Sequence, residues 1–202
     1  MTTIAVLDYG SGNLHSVSRA LARVGGTPLI TSDHAEVDHA DALVIPGVGH
    51  FGACMRAICH HGLDGSIRDF VASGRPVFGV CVGMQVLFDG SDEDAEPGLS
   101  IIGGASRLLP DEVKVPHMGW NTVQWRTAHP YVAGVDDDTR FYFVHSFAPD
   151  VDQATTVGAT TYGRAFAAAV AKDNVFATQF HPEKSGDAGL AVYERFVQAV
   201  AA

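Results

Sequence analysis

Short apolar runs alternate with amphipathic stretches over the first half of the chain. Ile4–Leu7, Pro28–Ile30, Ala42–Ile45 and Val77–Val80 read as buried strands. Between the first two, Leu14, Val17, Leu21 and Val24 recur at i, i+3, i+7 and i+10. That spacing puts them on one helical face, and Gly25-Gly26 ends the helix. The rhythm predicts parallel strands joined by helical crossovers. Asp89 to Gly98 is acidic and turn-rich, and reads as a solvated loop closing this half.

Beyond that loop the pattern changes to short β-like runs: Ala105–Leu109, Thr122–Trp125, Phe141–Val144, Thr155–Thr161, Phe166–Ala171 and Val175–Gln179. Asp136-Asp137-Asp138 and Lys172-Asp173-Asn174 supply turns between them. Leu190, Tyr193, Val197 and Val200 again follow i, i+3, i+7, i+10 and predict a closing helix. No repeat or linker interrupts residues 1–202, so the expectation is one α/β domain, in keeping with the usual ~100–200 residues per domain.

Composition narrows the function. The chain is 47% hydrophobic and 18% charged, enough apolar residues for a core. Thirteen Lys+Arg against 23 Asp+Glu give a formal charge of −10, which repels nucleic acid and anionic membranes. The longest uncharged run near the middle, Pro76 to Phe88, has 13 residues, too few to span a bilayer. The first residues carry no basic segment of the signal-peptide kind. Cys54, Cys59 and Cys81 are an odd set that closes no disulfide framework, so a reducing cytoplasm is expected.

The strongest local feature is Gly79-Val80-Cys81-Val82-Gly83, between the apolar run Pro76-Val77-Phe78 and Met84-Gln85-Val86-Leu87-Phe88. A strand turning sharply into a helix with a nucleophile at its apex needs small residues on either side. Cys81 occupies that apex, with the Val82 N–H placed to face a developing oxyanion. The motif alone leaves Cys81 equally readable as a small buried hydrophobe. Cys54 and Cys59 lie five apart on a helix, and with His60 and His61 they fit no zinc template.

A thiolate needs an imidazole. His181 stands in Phe180-His181-Pro182-Glu183, directly after a strand-like run, where open α/β sheets place their sites. In extended chain, residues i and i+2 point the same way, which sets Glu183 beside His181 as orienter or as a plain ion-pair partner. Pro46-Gly47-Val48-Gly49 follows another strand and supplies backbone N–H groups, as an anion nest or as a tight turn. Gly10-Ser11-Gly12 lacks the third glycine of a dinucleotide loop, and there is no Walker loop; no cofactor or metal is expected.

Together these blocks resemble the class I (triad) glutamine amidotransferases, and within them the glutaminase subunits of imidazole glycerol phosphate synthases. The class is carried by Gly79-Val80-Cys81-Val82-Gly83-Met84-Gln85 and Gln179-Phe180-His181-Pro182-Glu183. Asp8-Tyr9-Gly10-Ser11-Gly12-Asn13, Pro46-Gly47-Val48-Gly49, Val115-Pro116-His117-Met118-Gly119-Trp120-Asn121, Phe143-Val144-His145-Ser146 and His181-Pro182-Glu183-Lys184-Ser185 carry the narrower likeness. It implies a three-layer, flavodoxin-like α/β fold: a mainly parallel central sheet, helices on both faces, and an added antiparallel region in the second half.

The resemblance further implies Cys81 as nucleophile, His181 as base then acid and Glu183 as orienter, with glutamine hydrolysed to glutamate and ammonia through a cysteine thioester. Gln85, Gly49 and the His145-Ser146-Phe147 stretch match glutamine-holding positions. Val48 and Gly49 match an oxyanion strand that the family keeps misaligned until the partner binds its substrate. Asn13, Trp120, Tyr142 and Lys184 match positions facing a cyclase subunit. That partner forms a heterodimer with the glutaminase and makes imidazole glycerol phosphate and AICAR in histidine biosynthesis. His50 stands where the family commonly has a small residue.

Ammonia is protonated and lost in bulk water, so a glutaminase is useful only against an acceptor site, and this chain offers no evident one. The glutaminase subunit of pyridoxal 5′-phosphate synthase shares the triad logic, but the Pro116–Asn121 and Asp8–Asn13 blocks argue against it. Intact Cys81, His181 and Glu183 argue against a non-catalytic regulatory module on the same fold. The local cysteine motif alone would also suit a cysteine peptidase active without a partner.

Overall fold

Each apolar run of the first half becomes a strand of one sheet. The computed structural model describes residues 2–201. In chain order the elements are β1 (Thr3–Leu7), α1 (Leu14–Arg23), β2 (Thr27–Thr31), α2 (His34–His39), β3 (Ala42–Gly47), α3 (Phe51–His60), α4 (Leu63–Ala72), β4 (Val77–Cys81) and α5 (Val82–Gln85). Then follow β5 (Gly90–Ser91), β6 (Ala105–Leu108), β7 (His117–Thr122), β8 (Gln124–Trp125), β9 (Arg140–His145), β10 (Phe147–Pro149), β11 (Thr156–Tyr162), β12 (Arg164–Lys172), β13 (Val175–Thr178) and α6 (Gly186–Val200).

The main sheet runs β2-β1-β3-β4-β13-β12-β11-β8. Strands β2, β1, β3, β4 and β13 are parallel, and β12, β11 and β8 extend the sheet antiparallel. Helix α1 packs with α6, while α4 packs with α2 and α3, giving two helical layers around the sheet. This is the expected α/β architecture of a mainly parallel sheet with an antiparallel region added late. The carboxyl ends of β3, β4 and β13 lie side by side, so whatever follows those three strands is brought together.

The core beneath them is aromatic. Phe78 on β4 meets Phe176 on β13 and Tyr193 and Phe196 on α6, all with ring centroids 5.2–5.4 Å apart. Each such ring brings a large apolar area and a preferred edge-to-face geometry, which anchors the strand ends carrying the site.

The structure differs from the sequence expectation in several places. The closing helix buries Gly189, Val192, Tyr193, Phe196 and Val197, with Leu190 and Val200 only partly covered. The periodicity is right but the stripe is turned by about one residue, because α6 rests against α1 and the Pro182–Lys184 turn as well as the sheet. The run Thr122–Trp125 is broken into the end of β7 and the start of β8, with Val123 fully buried between them. β7 itself was not legible as a strand: Gly119 and polar neighbours blur its alternation, and pairing with β9 supplies its ladder. Asp89–Gly98 is no free solvated loop. It carries β5, and Glu93 and Asp94 fold back onto the start of α3, where the Phe51 N–H donates to Glu93 Oε2 at 2.7 Å. Among the described residues no helix is long and apolar enough to cross a membrane.

Candidate active site

Cys81 ends β4 and begins α5, and its backbone is in a strained region, φ 54° and ψ −112°. A non-glycine residue held there costs about 1–3 kcal/mol and persists only where the surroundings over-determine it. Here they do. A Cβ on Gly83 would lie 1.8 Å from the Ile45 carbonyl oxygen, and one on Gly79 would lie 2.7 Å from the Gly83 carbonyl oxygen. The glycines at either side of the cysteine therefore let α5 press onto β3 and β4, and the sharp turn lifts Cys81 to the sheet's carboxyl edge. Val82 opens α5, so no i−4 helical bond consumes its N–H.

His181 follows β13, the neighbour of β4. Its backbone is pinned twice: its N–H donates to the Tyr142 carbonyl at 2.9 Å, and its carbonyl accepts from Ser185 Oγ at 2.6 Å. The ring's Nδ1 is 2.8 Å from Glu183 Oε1, both side chains being buried. The pairing was expected, but its cause differs: Pro182–Lys184 form a single 3-10 turn, which folds Glu183 back under the ring. Gly189 permits this, since a Cβ there would sit 1.9 Å from the Pro182 carbonyl oxygen. Asn13, expected at a partner surface, also donates to Glu183 Oε1, at 3.4 Å.

With Nδ1 committed to the carboxylate, the buried Nε2 has no hydrogen-bond partner and is left for Cys81. Burial alone would push the imidazole's pKa down. The adjoining Cys81 sulfur, followed by Glu183, outweighs that and holds it up at about 10. The arrangement can therefore hold a thiolate–imidazolium pair.

Cys81, His181, Val82, Val48, Gly49, Gln85, His145, Ser146, Phe147 and Lys184 all line one cavity of about 320 Å³, within the ~300–1,000 Å³ range of small-molecule sites. A larger groove of about 490 Å³ along Trp125–Val135 is lined by no cysteine and no carboxylate, so the chemistry of the triad selects the smaller one. Gln85 Nε2 donates to the Phe147 carbonyl at 2.9 Å and to Gln179 Oε1 at 3.0 Å. His145 Nδ1 also reaches the Phe147 carbonyl, at 3.0 Å, and its Nε2 meets His117 Nδ1 at 3.1 Å. Burial lowers the pKa of both histidines, to about 3 for His145 and about 4 for His117, so both are neutral.

The glycine loop is tied from outside. The Val48 carbonyl accepts from Ser11 Oγ at 2.9 Å and from Cys54 Sγ at 3.5 Å, while Tyr9 donates to the Pro46 carbonyl at 2.5 Å. Cys54 is thus a buried anchor and Cys59 an exposed residue. His50 points to the acidic loop, its Nδ1 3.7 Å from Asp94. Beside the cavity, Trp120 is 51% and Met118 63% exposed on the outer face of β7. Tyr142 packs edge-on to Trp120, and Lys184 Nζ lies 5.8 Å from the Tyr142 ring centre.

Two site residues escaped sequence reasoning. Glu93 lines the cavity and is its one lining carboxylate; its acidic neighbours disguised it as part of a solvated loop. Gln179 touches the cysteine, its Nε2 3.6 Å from Cys81 Sγ. The alternation that put Glu183 and His181 on one side, carried two residues back, would have pointed to it.

The glutamine amidotransferase class-I family profile matches residues 5–199. An imidazole glycerol phosphate synthase subunit HisH from Acinetobacter baylyi is 48% identical, with 98% of both chains covered. Subunits of the same name from Deinococcus radiodurans and Methanosarcina barkeri are 46% and 43% identical, each over 98% of this chain and over 94% and 98% of their own. Among solved structures, PurLQS from Thermotoga maritima superposes with TM-score 0.75 at 18% identity, covering 98% of each chain. The glutaminase domain of Trypanosoma brucei CTPS, solved with bound acivicin, does so with TM-score 0.70 at 18% identity, covering 100% of this chain and 94% of that one. At such identities these two share the fold.

Proposed function

The chain belongs to the class I glutamine amidotransferases, and from that premise we propose that Cys81, His181 and Glu183 are the triad with which it hydrolyses glutamine as the glutaminase subunit of an imidazole glycerol phosphate synthase. The observation that carries the reading is the convergence of three strand ends: a strained cysteine, a histidine with one nitrogen on a carboxylate and the other free, and a cavity joining them.

The chemistry follows from the charges. Cys81 Sγ attacks the side-chain carbonyl carbon of glutamine, and Val82 and the Val48–Gly49 loop supply N–H groups to the oxyanion. Forming the C–S bond moves the negative charge that held His181 protonated from the sulfur to the oxyanion. Burial then dominates at the ring, so Nε2 gives its proton to the departing ammonia as the C–N bond breaks. Neutral His181 next takes a proton from water, which attacks the thioester and releases glutamate and thiolate. Gln85, Gly49, His145, Ser146 and Phe147 hold the glutamine, and Glu93 offers the charge its α-ammonium needs.

Ammonia released into bulk water would be protonated, so the product passes directly to a cyclase subunit. Trp120 and Met118, with Tyr142 and Lys184 beside them, form the docking surface for that subunit, while Asn13 links the same side to Glu183. The 202 residues act as a single amidotransferase domain. Three free cysteines suit the cytoplasm as its location.

The test combines the chain with its cyclase partner and measures glutamate release with and without the cyclase's phosphoribosyl substrate. Stimulated wild type and inactive Cys81→Ala are expected; full activity in Cys81→Ala overturns the triad.

A further inference from the structure

The buried amides behind the nucleophile form a chain whose direction is forced by one backbone carbonyl. The Phe147 carbonyl can only accept, so the end of Gln85 facing it at 2.9 Å is the NH2 group. That same nitrogen stands 3.0 Å from the Gln179 side chain. Two NH2 groups cannot pair, so Gln179 presents its oxygen to Gln85, and its own NH2 group is the end facing Cys81 Sγ at 3.6 Å. Both N–H groups of Gln85 are then used, and only its oxygen remains for a substrate.

Gln179 is fully buried, and the backbone explains its placement. Its N–H donates to the Ala168 carbonyl on β12 at 2.8 Å, continuing the ladder past the end of β13. Phe180 turns to the other side and stacks on Phe141 at 4.2 Å, which returns Gln179 and His181 to the same side. A buried amide donor must find an acceptor. A thiol sulfur is a weak one and a thiolate a strong one. The thiol's own hydrogen, by contrast, has the Val144 carbonyl 4.0 Å away.

We propose that Gln179 is a catalytic residue whose amide N–H holds Cys81 as an aimed thiolate, complementing His181 Nε2. The proposal rests on Cys81 being the nucleophile, as in the proposed function. During attack the sulfur loses its charge to the oxyanion, so this hydrogen bond weakens as the thioester forms and strengthens when water regenerates the thiolate.

The test reads alkylation by iodoacetamide across pH 5.5–9.5, residue by residue by peptide mass spectrometry, with exposed Cys59 as the internal control. In Gln179→Leu, Cys81 alkylation at neutral pH falls about tenfold and its pH profile moves upward, while Cys59 is unchanged. In the isosteric Gln179→Glu the carboxylate still accepts from Gln85 but sets a negative oxygen against the sulfur. Its deficit is greater than that of Gln179→Leu at high pH and shrinks as the carboxyl protonates. In the complex with the cyclase subunit, kcat falls about tenfold with KM for glutamine unchanged within twofold. Wild-type rates and pH profiles in both variants, or a deficit equal at every pH, overturn the role of Gln179 while leaving the triad intact. If alkylating Cys81 in the wild type leaves glutamate release unaffected, the triad reading itself falls.

Discussion

Two buried histidines border the same cavity and are driven to opposite charge states. His145 and His181 are 6% and 1% exposed, yet burial pushes one down to about 3 while its neighbours hold the other up at about 10. The difference is in what each ring meets. His145 donates Nδ1–H to a carbonyl and accepts at Nε2 from His117, which accepts in turn from Asn121 Nδ2 at 3.4 Å. Every partner there is neutral, and a second proton would have nowhere to point. His181 lies between a carboxylate and a thiol that can ionise, so a proton on it is balanced on both sides. Burial sets the cost of a charge, and the neighbours decide whether that cost is met. One corner can move protons, while the other holds a fixed hydrogen-bond pattern against the Phe147 carbonyl.

The largest effect is expected where the mobile proton is lost. His181→Asn removes the proposed base, and labelling of Cys81 by an electrophilic glutamine analogue should fall by about 10²-fold or more, the ordinary contribution of a positioned acid–base group. Wild-type labelling of this variant would mean that the charged corner is not catalytic. Glu183→Gln keeps a hydrogen-bonding group on Nδ1 but removes its charge. A hydrogen bond to a charged group contributes roughly 1.5–3 kcal/mol, so glutamate release in the complex should fall about ten- to a hundredfold. An unchanged rate would leave Cys81 as the sole support of the imidazolium.

Much of this contrast was legible beforehand. The parallel strands, the nucleophile turn and His181-Pro182-Glu183 are local in sequence and carry their geometry in glycines, proline and alternation. The neutral corner was not, because His117 and His145 meet only through the pairing of β7 with β9, which tertiary contacts create. The position of Asn13 on Glu183, 170 residues away, is likewise a product of packing α1 against the Pro182–Lys184 turn. Glu93 belongs to a loop whose composition says only that it is acidic.

β7 also separates the proposed docking surface from the proposed chemistry. His117 and Asn121 face the histidine chain, and Met118 and Trp120 face outward. Trp120→Ala should weaken binding of the cyclase subunit by about tenfold or more, as exposed aromatic anchors commonly do. Alkylation of Cys81 in the isolated chain should stay at the wild-type rate. A loss of alkylation without a loss of binding would reverse the two faces.

A further effect is expected on stability, and its sign differs between the corners. His145 and His117 have folded pKa values near 3 and 4 against 6.5 in the unfolded chain, so below pH 6.5 the unfolded state binds more protons. Their stabilisation is complete above that pH and is lost as pH falls toward 4 and 3, at up to ~1.4 kcal/mol per pH unit for each ring. His181, raised to about 10, contributes fully below pH 6.5 and loses its contribution as pH climbs through 10. Urea midpoints measured from pH 7 to 5 should therefore drop for the wild type, and drop less steeply for His145→Gln, which keeps hydrogen-bonding capacity but cannot titrate. An equal slope in the two proteins would show that the His145 ring binds its proton as readily folded as unfolded, and burial would not be what sets its charge.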